Sequence, residues 1–263
     1  FPTRRSSDLS GPIGPALHQG GRLAGTGDLG ACQFERAIRL GVRAKWIAET
    51  IDANGERLYA EAGAANAEAT IARHVRRLLA DTATEMPWPA LDAEADNVAP
   101  HQAEQVNRFA GRAFALLLGT PGTGKTRTAA AMLRRVLAKI RARRVADVAP
   151  TGKAAVRITE AMRKNGLTLT ATTIHRLLKH RGMKRGRNLF MHDASNPLKQ
   201  SVYVVDESSM IDTDIAAAFL QAIPPRASVL LVGDPYQLPP VAHGAPLRDL
   251  IAAGIPQGLL TEI

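Results

Sequence analysis

The chain has 263 residues, with 34 Lys and Arg against 24 Asp and Glu, for a net charge of +10. That length suffices for one large or two small domains with real cores. Its single cysteine, Cys32, excludes an intramolecular disulfide and suits a reducing, cytoplasmic setting, and no apolar run reaches the roughly eighteen residues of a membrane helix, so no membrane partner is expected.

The charge is unevenly placed. Residues 1–100 carry a net −2, residues 101–199 a net +17 and residues 200–263 a net −5. A basic middle segment points to a polyanion, most simply nucleic acid, the plainer reading being a solvated basic face.

Residues 1–9, Phe-Pro-Thr-Arg-Arg-Ser-Ser-Asp-Leu, match the translated end of a common short-read sequencing adapter and are set aside from fold reasoning as an adapter-derived artefact. Residues 10–30, rich in Gly and Pro, read as flexible. Residues 31–97 read as a helical N-terminal region and linker. Amphipathic helices are expected over 33–51 and 66–80, the second with Ile71, Val75, Leu78 and Leu79 at helical spacing. Residues 81–97, with Pro87, Pro89 and five acidic residues, read as the linker.

From residue 98 the pattern alternates strand and helix, the signature of an α/β fold with a parallel sheet flanked by helices. Ala113-Phe114-Ala115-Leu116-Leu117-Leu118 suits a buried strand, and Thr126 to Arg144 is rich in helix formers. Between them lies Gly119-Thr120-Pro121-Gly122-Thr123-Gly124-Lys125-Thr126, which fits the phosphate-loop pattern G-x-x-x-x-G-K-[ST]. Its glycines let successive N–H groups turn toward phosphate oxygens. Lys125 supplies a cation for the β- and γ-phosphates, and Thr126 a hydroxyl for Mg²⁺. Residues 119–126, with Arg127, form the expected nucleotide-binding set. Strand, loop and helix in that order is the context the pattern requires.

Val145 to Val148 reads as a strand, and Ala149-Pro150-Thr151-Gly152-Lys153-Ala154-Ala155 opens a helix after it. Ala171-Thr172-Thr173-Ile174-His175-Arg176 opens another. Hydroxyls and cations at helix N-termini suit nucleic-acid phosphates, with plain helix capping as the alternative. Residues 181–188 form a basic loop or hairpin tip. Val202-Tyr203-Val204-Val205 is a buried strand ending in Asp206-Glu207, the end at which α/β sheets place ligands. Asp206 is the expected Mg²⁺ carboxylate and Glu207 the group that orients and deprotonates the attacking water. Val229 to Val232 is a further strand, and Gly233-Asp234-Pro235-Tyr236-Gln237-Leu238-Pro239-Pro240 follows. Gln237 is placed to hydrogen-bond the γ-phosphate or the water.

Taken in order, these segments resemble superfamily 1 DNA helicases of the RecD-like, exodeoxyribonuclease V alpha-subunit type. The matching runs are 119–126, 149–155, Thr173-Ile174-His175-Arg176-Leu177-Leu178, 205–212 and 233–240, with 190–198 resembling the family's insert. The resemblance implies a RecA-like P-loop NTPase domain over 98–263, ATP and Mg²⁺ as cofactors, and 5′-to-3′ translocation on single-stranded DNA in recombination and repair. Other subunits of a helicase–nuclease complex would be its partners. It makes Gln102 the adenine-reading glutamine, through the spacing of Val98, Gln102 and Val106, with Gln105 as the alternative. It makes Lys125, Glu207 and Gln237 catalytic, Thr126 and Asp206 the metal holders, and Thr151, Lys153, Thr173 and His175 the DNA contacts. The family's second RecA-like domain, with its arginines, is expected to be missing here, which leaves half an ATP site and little activity in this chain alone. The helicase part of a conjugative relaxase and a catalytically silent DNA-binding subunit are the other readings.

Overall fold

The computed structural model describes residues 22–23, 27–28, 31–51, 57–184 and 187–262. By contacts the chain divides into residues 1–69 and 70–263. In the first unit, β1 (Arg22–Leu23) and β2 (Gly27–Asp28) pair antiparallel, so these residues of the segment read as flexible are strand. The readings of residues 1–9 and of the rest of 10–30 lie outside the described residues.

The helix expected over 33–51 is corrected to α1 (Ala31–Arg43) followed by strand β3 (Ile47–Ile51). Lys45 takes φ 59, a left-handed conformation that stops the helix. Ile47, Thr50 and Ile51 are β-branched and pair antiparallel with β4 (Arg57–Glu61). Glu49 faces Tyr59 across the pair and accepts from Arg57 at 3.1 Å and from the Tyr59 hydroxyl at 3.3 Å. The N-terminal region is therefore mixed rather than purely helical. α2 (Ala62–Ala80) carries the unit boundary within it. It buries Ile71, Val75 and Leu78 as the periodicity requires.

In the second unit a six-stranded sheet runs β12-β5-β11-β10-β6-β7, and every described pairing in it is parallel. Its strands are β5 (Phe114–Gly119), β6 (Val145–Ala149), β7 (Thr172–Thr173), β10 (Val202–Val205), β11 (Ser228–Gly233) and β12 (Gln257–Leu260). The connecting helices are α3 (Pro100–Asn107), α4 (Lys125–Leu137), α5 (Gly152–Lys164), α6 (Ile174–Leu177), α7 (Thr213–Ala222) and α8 (Pro246–Ala252). A parallel sheet is buried on both faces, and β5, β6, β10 and β11 are buried along their whole length, in keeping with their largely apolar runs. Ala115, Leu117, Val202, Val204, Leu230 and Val232 pack with Met132, Leu133 and Val136 of α4 and Ile158 and Met162 of α5. Alternate residues such as Tyr203 point to the other face, where Tyr203 meets Phe219 of α7 edge-on at 5.9 Å.

Residues 81–97 are corrected from linker to core. Met86, Trp88 and Leu91 belong to the cluster under the sheet. The Trp88 indole donates to Val229 O at 3.2 Å, and the Asn107 amide both donates to and accepts from Leu91. The residues between and beside the two prolines that signal a linker are the ones that reach the core. The expected basic hairpin is present as β8 (His180–Lys184) paired antiparallel with β9 (Arg187–Phe190).

Candidate ATP site and its neighbours

The phosphate loop leaves β5 at Gly119 and enters α4 at Lys125. Gly124 caps α4 in the left-handed region, φ 81, and a Cβ there would stand 2.5 Å from the Gln102 amide nitrogen. Only glycine satisfies both constraints. The loop is braced from within. The Thr123 hydroxyl donates to Thr120 O at 2.8 Å, and the Lys125 ammonium donates to Gly119 O at 2.7 Å and to Thr120 O at 2.9 Å. Pro121 and Gly122 form the exposed crest.

The two glutamines of α3 part company. Gln102 is buried, donates from Nε2 to Thr123 O at 3.1 Å, and accepts from Ala99 N at 3.1 Å. Gln105 instead accepts from Leu259 N of β12 at 3.1 Å. Gln102 is thus the glutamine beside the loop. The Arg127 guanidinium donates to Asn97 O at 2.7 Å, so it is committed to the segment before α3.

β10 and β5 are not neighbours, yet α4 brings Thr126 to the end of β10. Its hydroxyl lies 3.4 Å from Asp206 Oδ2. Asp206 is buried, and Glu207 N donates to its Oδ1 at 2.8 Å. Burial pushes the Asp206 carboxyl up to about 6, against the pull of the Glu207 N–H and Lys125. A buried carboxylate and a hydroxyl 3.4 Å apart beside the phosphate loop offer oxygen ligands that fit a magnesium ion. Among the described residues no cluster of three or more His, Cys, Asp or Glu offers a metal site. Glu207 takes φ 54, a strained conformation for a non-glycine residue that turns the chain sharply after the strand. The Ser209 hydroxyl donates to Gln237 Oε1, and the Gln237 carbonyl accepts from Arg248 at 3.1 Å.

A cavity of about 450 Å³ joins these groups. Thr126, Asp206, Glu207 and Gln237 line it with Thr151, Lys153 and Arg157 of the α5 segment and Met210. Thr151 caps α5 by accepting from Ala154 N at 3.2 Å, and Thr173 caps α6 by accepting from Arg176 N at 3.2 Å. Both hydroxyls therefore do the capping that was the alternative reading, each with its own proton still free to donate. Thr173 and His175 do not line the cavity. His175 packs against His180 at 5.5 Å and Phe190 at 5.8 Å, and its pKa is lowered by burial and by His180.

Two residues escaped sequence reasoning. Arg157 follows Lys153 by four, which places both on one helix face, a signal the sequence did carry. Asp147, on β6, is 2% exposed and neither of its carboxyl oxygens has a partner. It shares the face of Asp206, since Asp147 pairs with Val204. Burial, then the Asp206 charge, raise its pKa to about 7. The folded state thus keeps a proton that the unfolded chain gives up near pH 4. Stability falls as pH rises from about 4 to about 7 and is level above that. Asp147→Leu removes this loss. At about 1.4 kcal/mol per pKa unit, the upper bound is on the order of 4 kcal/mol at neutral pH. Thermal melts of both proteins at pH 5 and pH 8 should show the variant's advantage widening with pH; an advantage that does not change would mean Asp147 is not protonated in the fold.

The AAA domain family model matches residues 102–243. The ATP-dependent RecD2 DNA helicase of Deinococcus radiodurans is 37% identical over 201 residues, 75% of this chain and 26% of that protein. The RecBCD enzyme subunit RecD of Mycolicibacterium smegmatis is 42% identical over 152 residues, 52% of this chain and 27% of that protein. The chain thus spans about a quarter of the length of these curated relatives. A solved Pif1 helicase from Candida albicans aligns with 63% of this chain and 40% of its own, at 20% identity and a TM-score of 0.42.

Proposed function

The chain belongs to the AAA domain family, with RecD helicases among its relatives, and on that footing we propose that it forms the ATP-binding side of a DNA helicase that moves along single-stranded DNA. The observation that carries the proposal is the meeting of Thr126 and Asp206 at the end of the phosphate loop, in one cavity with Glu207 and Gln237. In this reading Lys125 leaves the Gly119 and Thr120 carbonyls to meet the β- and γ-phosphates. Thr126 and Asp206 hold Mg²⁺. When bound, the ion would neutralise phosphate charge. Glu207 orients a water and accepts its proton as the water oxygen bonds to the γ-phosphorus and the bond to the β–γ bridging oxygen breaks. Gln237, tied to Ser209, reads the γ-phosphate. Gln102 braces the loop through Thr123 O and is the proposed adenine-reading glutamine.

Thr151, Lys153, Thr173 and His175 are proposed strand contacts, in a segment of strongly basic charge. Translocation 5′-to-3′, a role in recombination and repair, and partners in a helicase–nuclease complex are proposed from the RecD resemblance; opening of 5′-tailed against 3′-tailed duplexes by the helicase tests the direction. No described helix is long and apolar enough to cross a membrane, and a cytoplasmic site of action is proposed with the rest.

Binding through phosphates releases counterions, so affinity for an oligonucleotide should fall steeply with salt. Lys153→Ala should weaken binding to all sequences alike and shorten the slope of log affinity against log salt by about 0.7, the share of one phosphate contact on a single strand. Titrations of a labelled oligonucleotide across NaCl concentrations read this directly; an unchanged slope would remove Lys153 from the DNA surface.

A further inference from the structure

The cavity beside the phosphate loop is divided by charge. Asp206 and Glu207 stand on the wall formed by the end of β10. Lys153 and Arg157, one helical turn apart, stand on the wall formed by α5. No ion pair joins the two walls, and Arg157 has no hydrogen-bond or ion-pair partner among the described residues. Lys125, the cation of the loop itself, is turned onto the Gly119 and Thr120 carbonyls. Carboxylates without an ion-pair partner and a guanidinium without one, facing one space, suit a ligand that is cationic on one side and anionic on the other. A metal-bound phosphate has that character.

We propose that Arg157 contacts the terminal phosphate of bound ATP, supplying from within this domain a guanidinium at the γ-phosphate. The inference rests on the ATP-site reading given above. α5 is a firm base for such a residue. Ile158 and Met162 are buried beneath it, and the Thr159 hydroxyl donates to Ala155 O at 2.8 Å and accepts from Ala171 N at 2.9 Å. Lys153 stands a turn nearer the helix start, beside the Thr151 cap, and is left to the DNA strand. Arginine suits a phosphate contact because its planar, permanently charged fork can donate two hydrogen bonds to one phosphate. The terminal phosphate is the part of the nucleotide that ATP has and ADP lacks, so Arg157 would distinguish the two.

Equilibrium binding of a non-hydrolysable ATP analogue and of ADP, each with Mg²⁺, tests this on the chain and its variants. Arg157 is exposed, and Arg157→Ala should leave the fold and its melting temperature intact. It should weaken the ATP analogue by roughly ten- to hundredfold, the worth of a hydrogen bond to a charged group, and leave ADP within about twofold. Arg157→Lys should recover part of the loss. Equal weakening of both nucleotides, no weakening of either, or a loss confined to oligonucleotide affinity would each overturn the proposal. Lys125→Ala serves as the reference. If it binds both nucleotides like the parent, the ATP-site reading itself fails; if it loses both while Arg157→Ala keeps the parental preference, only the Arg157 inference fails.

Discussion

In the complete protein, Lys125→Ala is expected to lower ATP turnover by at least 10²- to 10³-fold, the order of loss when one preorganised charge-stabilising donor is removed. The structure gives the reason in two parts. Lys125 opens α4, so its backbone N–H belongs to the phosphate cradle whatever the side chain is. Its ammonium is held on the loop by the Gly119 and Thr120 carbonyls, from which the proposed reading turns it to the triphosphate. Alanine keeps the first feature and deletes the second. Helix α4 should tolerate the change, since alanine is the best helix former. Turnover measured with saturating oligonucleotide, alongside a thermal melt, separates lost chemistry from lost structure. Turnover retained in a folded variant would mean that residues 119–126 are not the active loop.

In the complete protein, Glu207→Gln is expected to separate binding from hydrolysis. Glutamine has the shape of glutamate and can hold a water, but cannot take its proton. General-base catalysis contributes about 10²- to 10⁴-fold, and turnover should drop by that order. Nucleotide affinity should stay near that of the parent, because Asp206 and Thr126 are untouched. Glu207 does have a structural task, since its left-handed backbone turns the chain after β10 and its N–H supports Asp206. That task belongs to the main chain and survives the substitution. Single-turnover kinetics beside equilibrium binding would read both quantities. A variant that hydrolyses at the parental rate would show that another group accepts the proton, and one that fails to bind would assign Glu207 a holding role. Either result would also bear on the reading of this chain as a catalytically silent subunit, which predicts no turnover to lose.

The sequence was most legible where local chemistry and long-range order agree. Gly119–Thr126 and Asp206-Glu207 each sit at the end of a short apolar run, and parallel strands buried on both faces produce such runs wherever they occur. Their meeting across the sheet, Thr126 beside Asp206, follows from strand order and was not readable from either segment alone. Two regions were misread for identifiable reasons. Over 33–51 the helical spacing continues past Arg43, but Lys45 in the left-handed region and the β-branched Ile47, Thr50 and Ile51 favour a strand once Arg57–Glu61 is available to pair. Over 81–97, prolines and acidic residues looked like a tether, while Trp88 was the signal of a core position: an indole with a backbone carbonyl as its partner. Asp147 could not have been found, because its meaning depends on being buried beside Asp206 without a hydrogen-bond partner. Thr151 and Thr173 show the opposite limit. Capping and phosphate contact demand the same residue at the same place, and the structure accounts for the capping alone.

The most direct test of the central claim is a crystal structure of the chain grown with Mg²⁺ and a non-hydrolysable ATP analogue. The account predicts the β- and γ-phosphates against the N–H groups of residues 122–126 and Lys125. It places the metal on Thr126 and beside Asp206, and the γ-phosphate in the cavity shared with Glu207 and Gln237. A nucleotide bound elsewhere on the domain, or phosphates in the loop with the metal away from Thr126 and Asp206, would contradict it.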